Sequence, residues 1–181
     1  RILVPPLEAY LCSRRQPKEN NELIVNTPQQ TFRAALGQFF VKETSTENLA
    51  AARSLIERSE TAGADLLVLP ECIIARKLGM PDWGQKHAEP LDGPFVSGLR
   101  EATRGRRVTV VCTVQAKIAN ESRYANDLLV IQNGELRLTY QKIHLYDAFR
   151  GKESSYAAPG DVLPQVLQIG PFKVGFLTCY D

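Results

Sequence analysis

At 181 residues, with 44% hydrophobic and 23% charged residues and a net charge of +2, the chain has the makeup of one soluble globular domain with a real core. Positive and negative residues are mixed along it, which leaves no footprint for a nucleic acid or a membrane surface, and no apolar run approaches the ~20 residues of a bilayer span. The four cysteines, Cys12, Cys72, Cys112 and Cys179, are widely spaced without a CxxC pair, so neither a structural zinc site nor a disulfide framework is expected.

Residues 1–30 are polar and proline-bearing, with "SRRQPKENN" at their centre, and read as an extension with little order of its own. The apolar h-region of a secretory signal is missing, because Pro5, Pro6 and Glu8 interrupt it, so a cytoplasmic protein is the expectation. Residues 31–181 read as the folded domain. "TFRAALGQFFV" is expected as a buried strand. "TSTENLAAARSLIERSETAG" follows as a helix, with Thr44 and Glu47 at capping-box spacing and Gly63 as its stop. Leu49, Ala52, Leu55, Ile56 and Ser59 share one helical face. "ADLLVLPE" is a short continuous apolar strand ended by Pro70. Strand, helix, strand, with unbroken apolar runs, is the pattern of a βαβ unit in a helix-covered sheet.

The Gly- and Pro-rich stretch "CIIARKLGMPDWGQKHAEPLDGP" reads as a loop. "FVSGLREATRG" reads as a second helix ended by Gly105, and "RRVTVVCTVQAKI" as a strand. "LLVIQNGELRLTY" holds two β runs joined at Asn133-Gly134, the strongest short hairpin signal. "VLPQVLQIGPFKVGFLTCYD" gives a strand, a turn at Gly170-Pro171 and another strand. The fold class is α/β, with helices early and β pairs late.

Three apolar runs end on a reactive side chain: "LLVLP" on Glu71, "ELRLTYQ" on Lys142 and "FKVGFLT" on Cys179. In open α/β sheets reactive groups gather at strand ends. Singly, each has an ordinary reading as a solvated loop residue, an edge guard or core packing. Together they are a chemical kit. A thiol becomes a nucleophile when a base takes its proton, a carboxylate can be that base and later the acid, and an ammonium can hold the oxyanion of an attacked carbonyl. His144, two residues past Lys142, offers a rival Cys–His arrangement, but reads better as a structural hydrogen-bonder because Glu71 completes the kit without it. Cys72 should point away from Glu71 and pack. His87 reads as solvated, and Asp147 and Asp181 as loop anchors. Met80 and Trp83 read equally as pocket lining or as anchors of their loop.

In this order and at these separations, "LLVLPE", "YQKIHLYD" and "KVGFLTCYD" resemble the nitrilase superfamily of carbon–nitrogen hydrolases, from about Phe32 to Asp181. The resemblance implies an α-β-β-α sandwich, here its N-terminal part through the cysteine, and a Glu–Lys–Cys triad at Glu71, Lys142 and Cys179. "GKESSYAAPGD" is similar to the segment that follows the lysine motif in that family, which puts a second glutamate at Glu153, orienting Lys142 or the substrate. "KIHLYDAF" with "TCYD" is most similar to the amidase branch of omega-amidases and deaminated-glutathione amidases. A small amide would then be hydrolysed through a cysteine thioester, with the backbone N–H of Tyr180 as a second oxyanion donor. No metal or organic cofactor is implied, and a homodimer is. Members of the superfamily continue well past the cysteine, so the chain is expected to be truncated, and a non-catalytic fragment or scaffold is the alternative. A thiol redox protein is the third reading, against which the missing CxxC argues.

Overall fold

A computed structural model describes residues 31–149 and 151–181, so the expected N-terminal extension lies outside the described residues. Strand β1 (Ala34–Leu36) leads to helix α1 (Ser45–Thr61) and strand β2 (Leu66–Val68). Thr44 caps α1: its hydroxyl accepts the Glu47 N–H at 3.4 Å and donates to the Glu47 carboxylate at 2.6 Å. Gly63, at φ 67°, ends the helix in the left-handed region that a Cβ disfavours. A one-turn helix α2 (Trp83–Lys86) and helix α3 (Pro94–Thr103) come next, followed by β3 (Thr109–Lys117), β4 (Tyr124–Gln132) and β5 (Glu135–Gln141). A single 3₁₀ turn (Glu153–Ser155), the two-residue β6 (Ala157–Ala158) and the hairpin β7 (Leu167–Ile169) and β8 (Phe172–Val174) complete the chain.

The main sheet runs β1-β2-β3-β4-β5, with β6 added beside β4. β1, β2 and β3 are parallel, as the βαβ pattern requires, and β3-β4-β5 is an antiparallel meander. Asn133 and Gly134 both have positive φ, 49° and 79°, the signature of a type I′ hairpin turn. That turn is locked to the end of α3. Asn133 Oδ1 accepts the Gly105 N–H, Thr103 Oγ1 accepts the Gly134 N–H, and Arg100 donates to the Gly134 carbonyl.

Strand alternation sorts the apolar side chains into two cores. Leu67, Val110, Cys112, Val114, Leu129 and Ile131 face α1 and α3 and meet Ala52, Leu55, Ile56, Phe95, Val96 and Leu99. Leu66, Val111, Leu128, Val130, Leu138 and Tyr140 face the other way and meet Ile169 and Phe176 from the β7–β8 region. The described residues thus build one helical layer, one mixed sheet and a small β-hairpin against the second face.

Three expected strands are shorter than their apolar runs. β1 covers three residues of "TFRAALGQFFV". It pairs on one side only, and Gly37 closes it where a Cβ would strike Leu67 and Leu69. β2 stops at Val68, two residues before Pro70, which has no N–H to donate to a ladder. β8 stops at Val174, five residues before Cys179. Neither Glu71 nor Cys179 therefore sits on the last residue of a strand, whereas Lys142 directly follows β5.

Candidate active site

Beyond the second-face core, the same alternation that gives Val111 also gives Thr113 and Gln115, and the alternation that gives Leu128 also gives Asn126. Continuing past Leu138 and Tyr140 it gives Lys142, whose backbone N–H is held by the Asn126 carbonyl at 2.9 Å. Four polar side chains thus occupy one end of a sheet face that is otherwise apolar.

Thr113 and Gln115 hold the segment that carries Glu71. Cys72 N–H donates to Thr113 Oγ1 at 2.7 Å, and Ile74 N–H to Gln115 Oε1 at 3.1 Å. Gln115 Nε2 donates to the carbonyls of Cys72 and Ala75. Ile73 N–H still donates to the Thr113 carbonyl at 3.0 Å, but side chains supply the other bonds, so residues 71–75 run beside β3 without being a strand. Cys72 has φ 56°, a left-handed conformation that costs a residue with a Cβ ~1–2 kcal/mol.

Lys142 is 1% exposed and lies between two carboxylates. Its Nζ is 2.9 Å from Glu153 Oε2 and 3.2 Å from Glu71 Oε1. Burial would lower its pKa, but the hydrogen bond and charge of Glu153 and the charge of Glu71 outweigh that and hold it above the usual lysine value. Glu153 is further fixed by the Tyr146 N–H at 2.7 Å. Asn126, wholly buried, donates through Nδ2 to Glu71 at 2.8 Å and to Glu153 at 3.3 Å, while its Oδ1 has no partner. Two acceptor-only carboxylates dictate that orientation.

Cys179 reaches the same place from the other direction. After β8 the chain descends through buried Phe176 and Thr178 to a turn closed by Asp181 N–H on the Thr178 carbonyl. Cys179 has φ 47° and is exposed to solvent. Burial of the thiol and the Glu71 charge push its pKa up, against Lys142, which pulls it down.

Glu71, Lys142, Glu153 and Cys179 line one cavity of about 500 Å³, a volume suited to a small molecule. The three sequence-expected reactive groups and the second glutamate converge there. Tyr180 is next to the cysteine and its ring meets Tyr146 edge-on at 5.5 Å. Cys72 packs against Ala88, Tyr124 and Ala157, as expected of it, but it also lines the cavity, with Sγ 4.0 Å from the Tyr124 hydroxyl, and burial followed by the Glu71 charge pushes its thiol up to about 12. The left-handed backbone at Cys72, which a strand-like reading omits, turns it inward. His144 stands as a structural hydrogen-bonder to Asp181, and Asp147 anchors the Ser154 N–H. Met80 and Trp83 line the cavity, and Trp83 also anchors its loop by donating to the Glu43 carbonyl at 2.9 Å. His87 is exposed and stacks on Trp83.

Sequence reading missed Asn126, Thr113 and Gln115. The available signal was a polar residue at alternate positions inside "TVVCTVQAKI" and "YANDLLVI", where a covered sheet should be apolar. Among the described residues no group of three or more His, Cys, Asp or Glu could hold a metal ion, and no helix is long and apolar enough to cross a membrane.

The mixed sheet, its helical layer and a polar cavity beyond the strand ends mark an α/β protein with its candidate site at the strand ends. The carbon-nitrogen hydrolase family pattern matches residues 33–181, and the chain belongs to that family. It is 33% identical over 147 residues to the deaminated glutathione amidase of Escherichia coli O157:H7, covering 81% of this chain and 56% of that protein. It is 28% identical over 159 residues to an omega-amidase of Xenopus tropicalis, covering 83% and 55%. The fold superposes with a TM-score of 0.69 on an amidase variant from Nesterenkonia sp. AN1, 25% identical, covering 83% of this chain and 56% of that one. In that structure the acetamide moiety of fluoroacetamide is covalently added at the active-site cysteine. The chain spans about half the length of the curated relatives it matches.

Proposed function

We propose that the chain carries the residues for hydrolysing a small non-peptide amide through a cysteine thioester. Glu71 accepts the Cys179 thiol proton as sulfur bonds to the amide carbon. Negative charge passes to the carbonyl oxygen, which Lys142 and the Tyr180 backbone N–H stabilise. Collapse of that adduct breaks the C–N bond, and Glu71 returns the proton to the departing nitrogen. Ammonia or an amine leaves. Glu71 then takes a proton from water, whose oxygen attacks the thioester carbon. The C–S bond breaks, the acid departs and the thiol regains its proton. Glu153 keeps Lys142 in place and charged. Asn126 is a positioning residue that aims the Glu71 carboxylate.

The observation that carries this reading is a buried ammonium clasped by two carboxylates in the same cavity as the Cys179 thiol. Covalent addition at the cysteine of a related amidase supports it. The test is ammonia release from short aliphatic amides. The wild-type sequence turns over and Cys179→Ala does not; turnover retained in the variant rejects the proposal. A second reading, a non-catalytic scaffold, draws on the chain spanning about half of its relatives. It predicts no ammonia release and Cys179 alkylation no faster than that of a free thiol.

A further inference from the structure

Tyr124 carries a buried hydroxyl that the fold leaves without a strong partner. The residue is 5% exposed and lines the cavity. Its backbone N–H donates to the Tyr156 carbonyl at 3.0 Å, its ring stacks on that of Tyr156 at 6.1 Å, and Ala88 and Ala157 pack against it. The ring is therefore held in one place. A buried tyrosine hydroxyl normally finds a hydrogen-bond partner. Among the described residues this one meets only Cys72 Sγ, at 4.0 Å, and a thiol is a weak partner. Burial first, then the neighbouring Cys72 and Glu153, hold the phenol protonated well above the usual tyrosine value.

We propose that Tyr124 is a specificity-determining residue whose hydroxyl donates a hydrogen bond to an uncharged oxygen on the substrate's acyl chain, close to the reacting amide. This deepens the amidase reading and rests on it. The phenol keeps its proton, so the group it lacks is an acceptor. The Glu153 charge bears on the same hydroxyl, and a second negative group beside it would be repelled, which selects an ether, hydroxyl or carbonyl oxygen over a carboxylate. Cys72 directly follows Glu71, so the hydroxyl beside its sulfur belongs to the side of the cavity that carries the base. The acceptor then lies within a few bonds of the carbon that Cys179 attacks. An acyl chain with a methylene at that point would cover the hydroxyl and leave it unpaired, and a site built to make a hydrogen bond discriminates against a ligand that cannot.

Two measurements test this. The first compares kcat/KM for pentanamide with those for its ether isosteres 2-ethoxyacetamide and 3-methoxypropanamide, in which an oxygen replaces one methylene. The wild type is expected to favour one of the ethers about fivefold or more, through KM, and Tyr124→Phe to erase that preference by improving pentanamide relative to the ether. A preference that is absent in the wild type, or that survives in Tyr124→Phe, overturns the proposal. An equal fall in kcat for all three amides in Tyr124→Phe also overturns it, because the hydroxyl would then serve the reacting carbonyl. The second measurement needs no turnover. Trp83 is the chain's only tryptophan and lines the cavity, so its fluorescence in Cys179→Ala reports binding of the same three amides. Saturable binding of an ether that weakens about fivefold when Tyr124→Phe is added supports the site even if the wild type hydrolyses no amide, in which case the amidase reading alone fails. No binding, or binding indifferent to Tyr124→Phe, overturns it.

Discussion

The Asp181 carboxylate accepts the backbone N–H of His144 at 2.8 Å, and so ties the turn that carries Cys179 to the strand end that carries Lys142. The same carboxylate accepts the Ile143 N–H at 3.2 Å and the Tyr140 hydroxyl at 2.8 Å. Its side chain is 2% exposed. Residues nearly 40 apart in sequence are thereby held at one place by a single acid two positions after the thiol.

Replacing Asp181 by Ala strands three donors at this junction, each worth ~1–3 kcal/mol when left unpaired, although His144 can recruit water. A loss of about 2 kcal/mol in urea denaturation is expected, together with slower alkylation or acylation of Cys179. The effect depends on pH. Burial raises the Asp181 pKa, but the His144 N–H and the Tyr140 hydroxyl outweigh it and hold the group below the usual aspartate value. A depressed folded pKa gives stability that is present above the unfolded value and lost as pH falls through the folded one. The gap between wild type and Asp181→Asn should therefore be widest at neutral pH and close below about pH 4.

Glu71→Gln separates two consequences of one carboxylate. After burial, the Glu71 charge is the main cause of the raised Cys179 pKa. Neutralising it removes that repulsion while Lys142 remains, so the onset of iodoacetamide alkylation at Cys179 should move to lower pH. Amide hydrolysis should fall by two orders of magnitude or more, within the range of lost acid–base catalysis. Alkylation and hydrolysis falling together with an unchanged alkylation profile would remove Glu71 from the vicinity of the thiol.

Lys142→Met leaves Glu71 and Glu153 facing each other without a cation. Breaking a buried ion pair by removing one partner costs about 3–5 kcal/mol, because the remaining charge stays buried. The double variant Lys142→Met/Glu153→Gln removes the more deeply buried of the stranded charges and should recover at least half of that loss. Neither variant should hydrolyse amides. Chemical denaturation of the pair and of Glu153→Gln alone gives the coupling directly.

Much of this arrangement was legible in the chain. The α1 face, its Thr44–Glu47 cap, the Asn133-Gly134 turn and the parallel β1–β2–β3 order follow from local spacing and backbone chemistry. Glu71, Lys142 and Cys179, singled out by their order, line one cavity. The strand ends did not follow, because an apolar run marks burial and not a ladder. Leu69 and Ile73 still donate to carbonyls of β3, but the left-handed Cys72 interrupts the run, and Thr113 and Gln115 hold the rest of the segment by their side chains. Thr113, Gln115 and Asn126 were hidden for a related reason: each looks like a tolerated polar residue in a strand until the topology puts all three on one face beside Lys142.

Asp127 makes the last case, on the opposite face of β4 from Asn126. It is 8% exposed, its carboxylate has no donor among the described residues, and burial pushes its pKa up to about 6. A raised carboxylate pKa means that the folded state binds the proton more tightly than the unfolded state does. Stability from this group is then full below about pH 4 and declines as pH rises toward 6. Two pH units between the folded and unfolded values correspond to about 3 kcal/mol at neutral pH, an upper bound for a side chain that retains some contact with water. Asp127→Asn keeps the shape without the charge. It should raise the urea midpoint at pH 7–8 and leave it nearly unchanged at pH 4, with hydrolysis unaffected because the residue points away from the cavity. An Asn variant less stable than wild type at pH 8 would mean that the carboxylate is paired there after all.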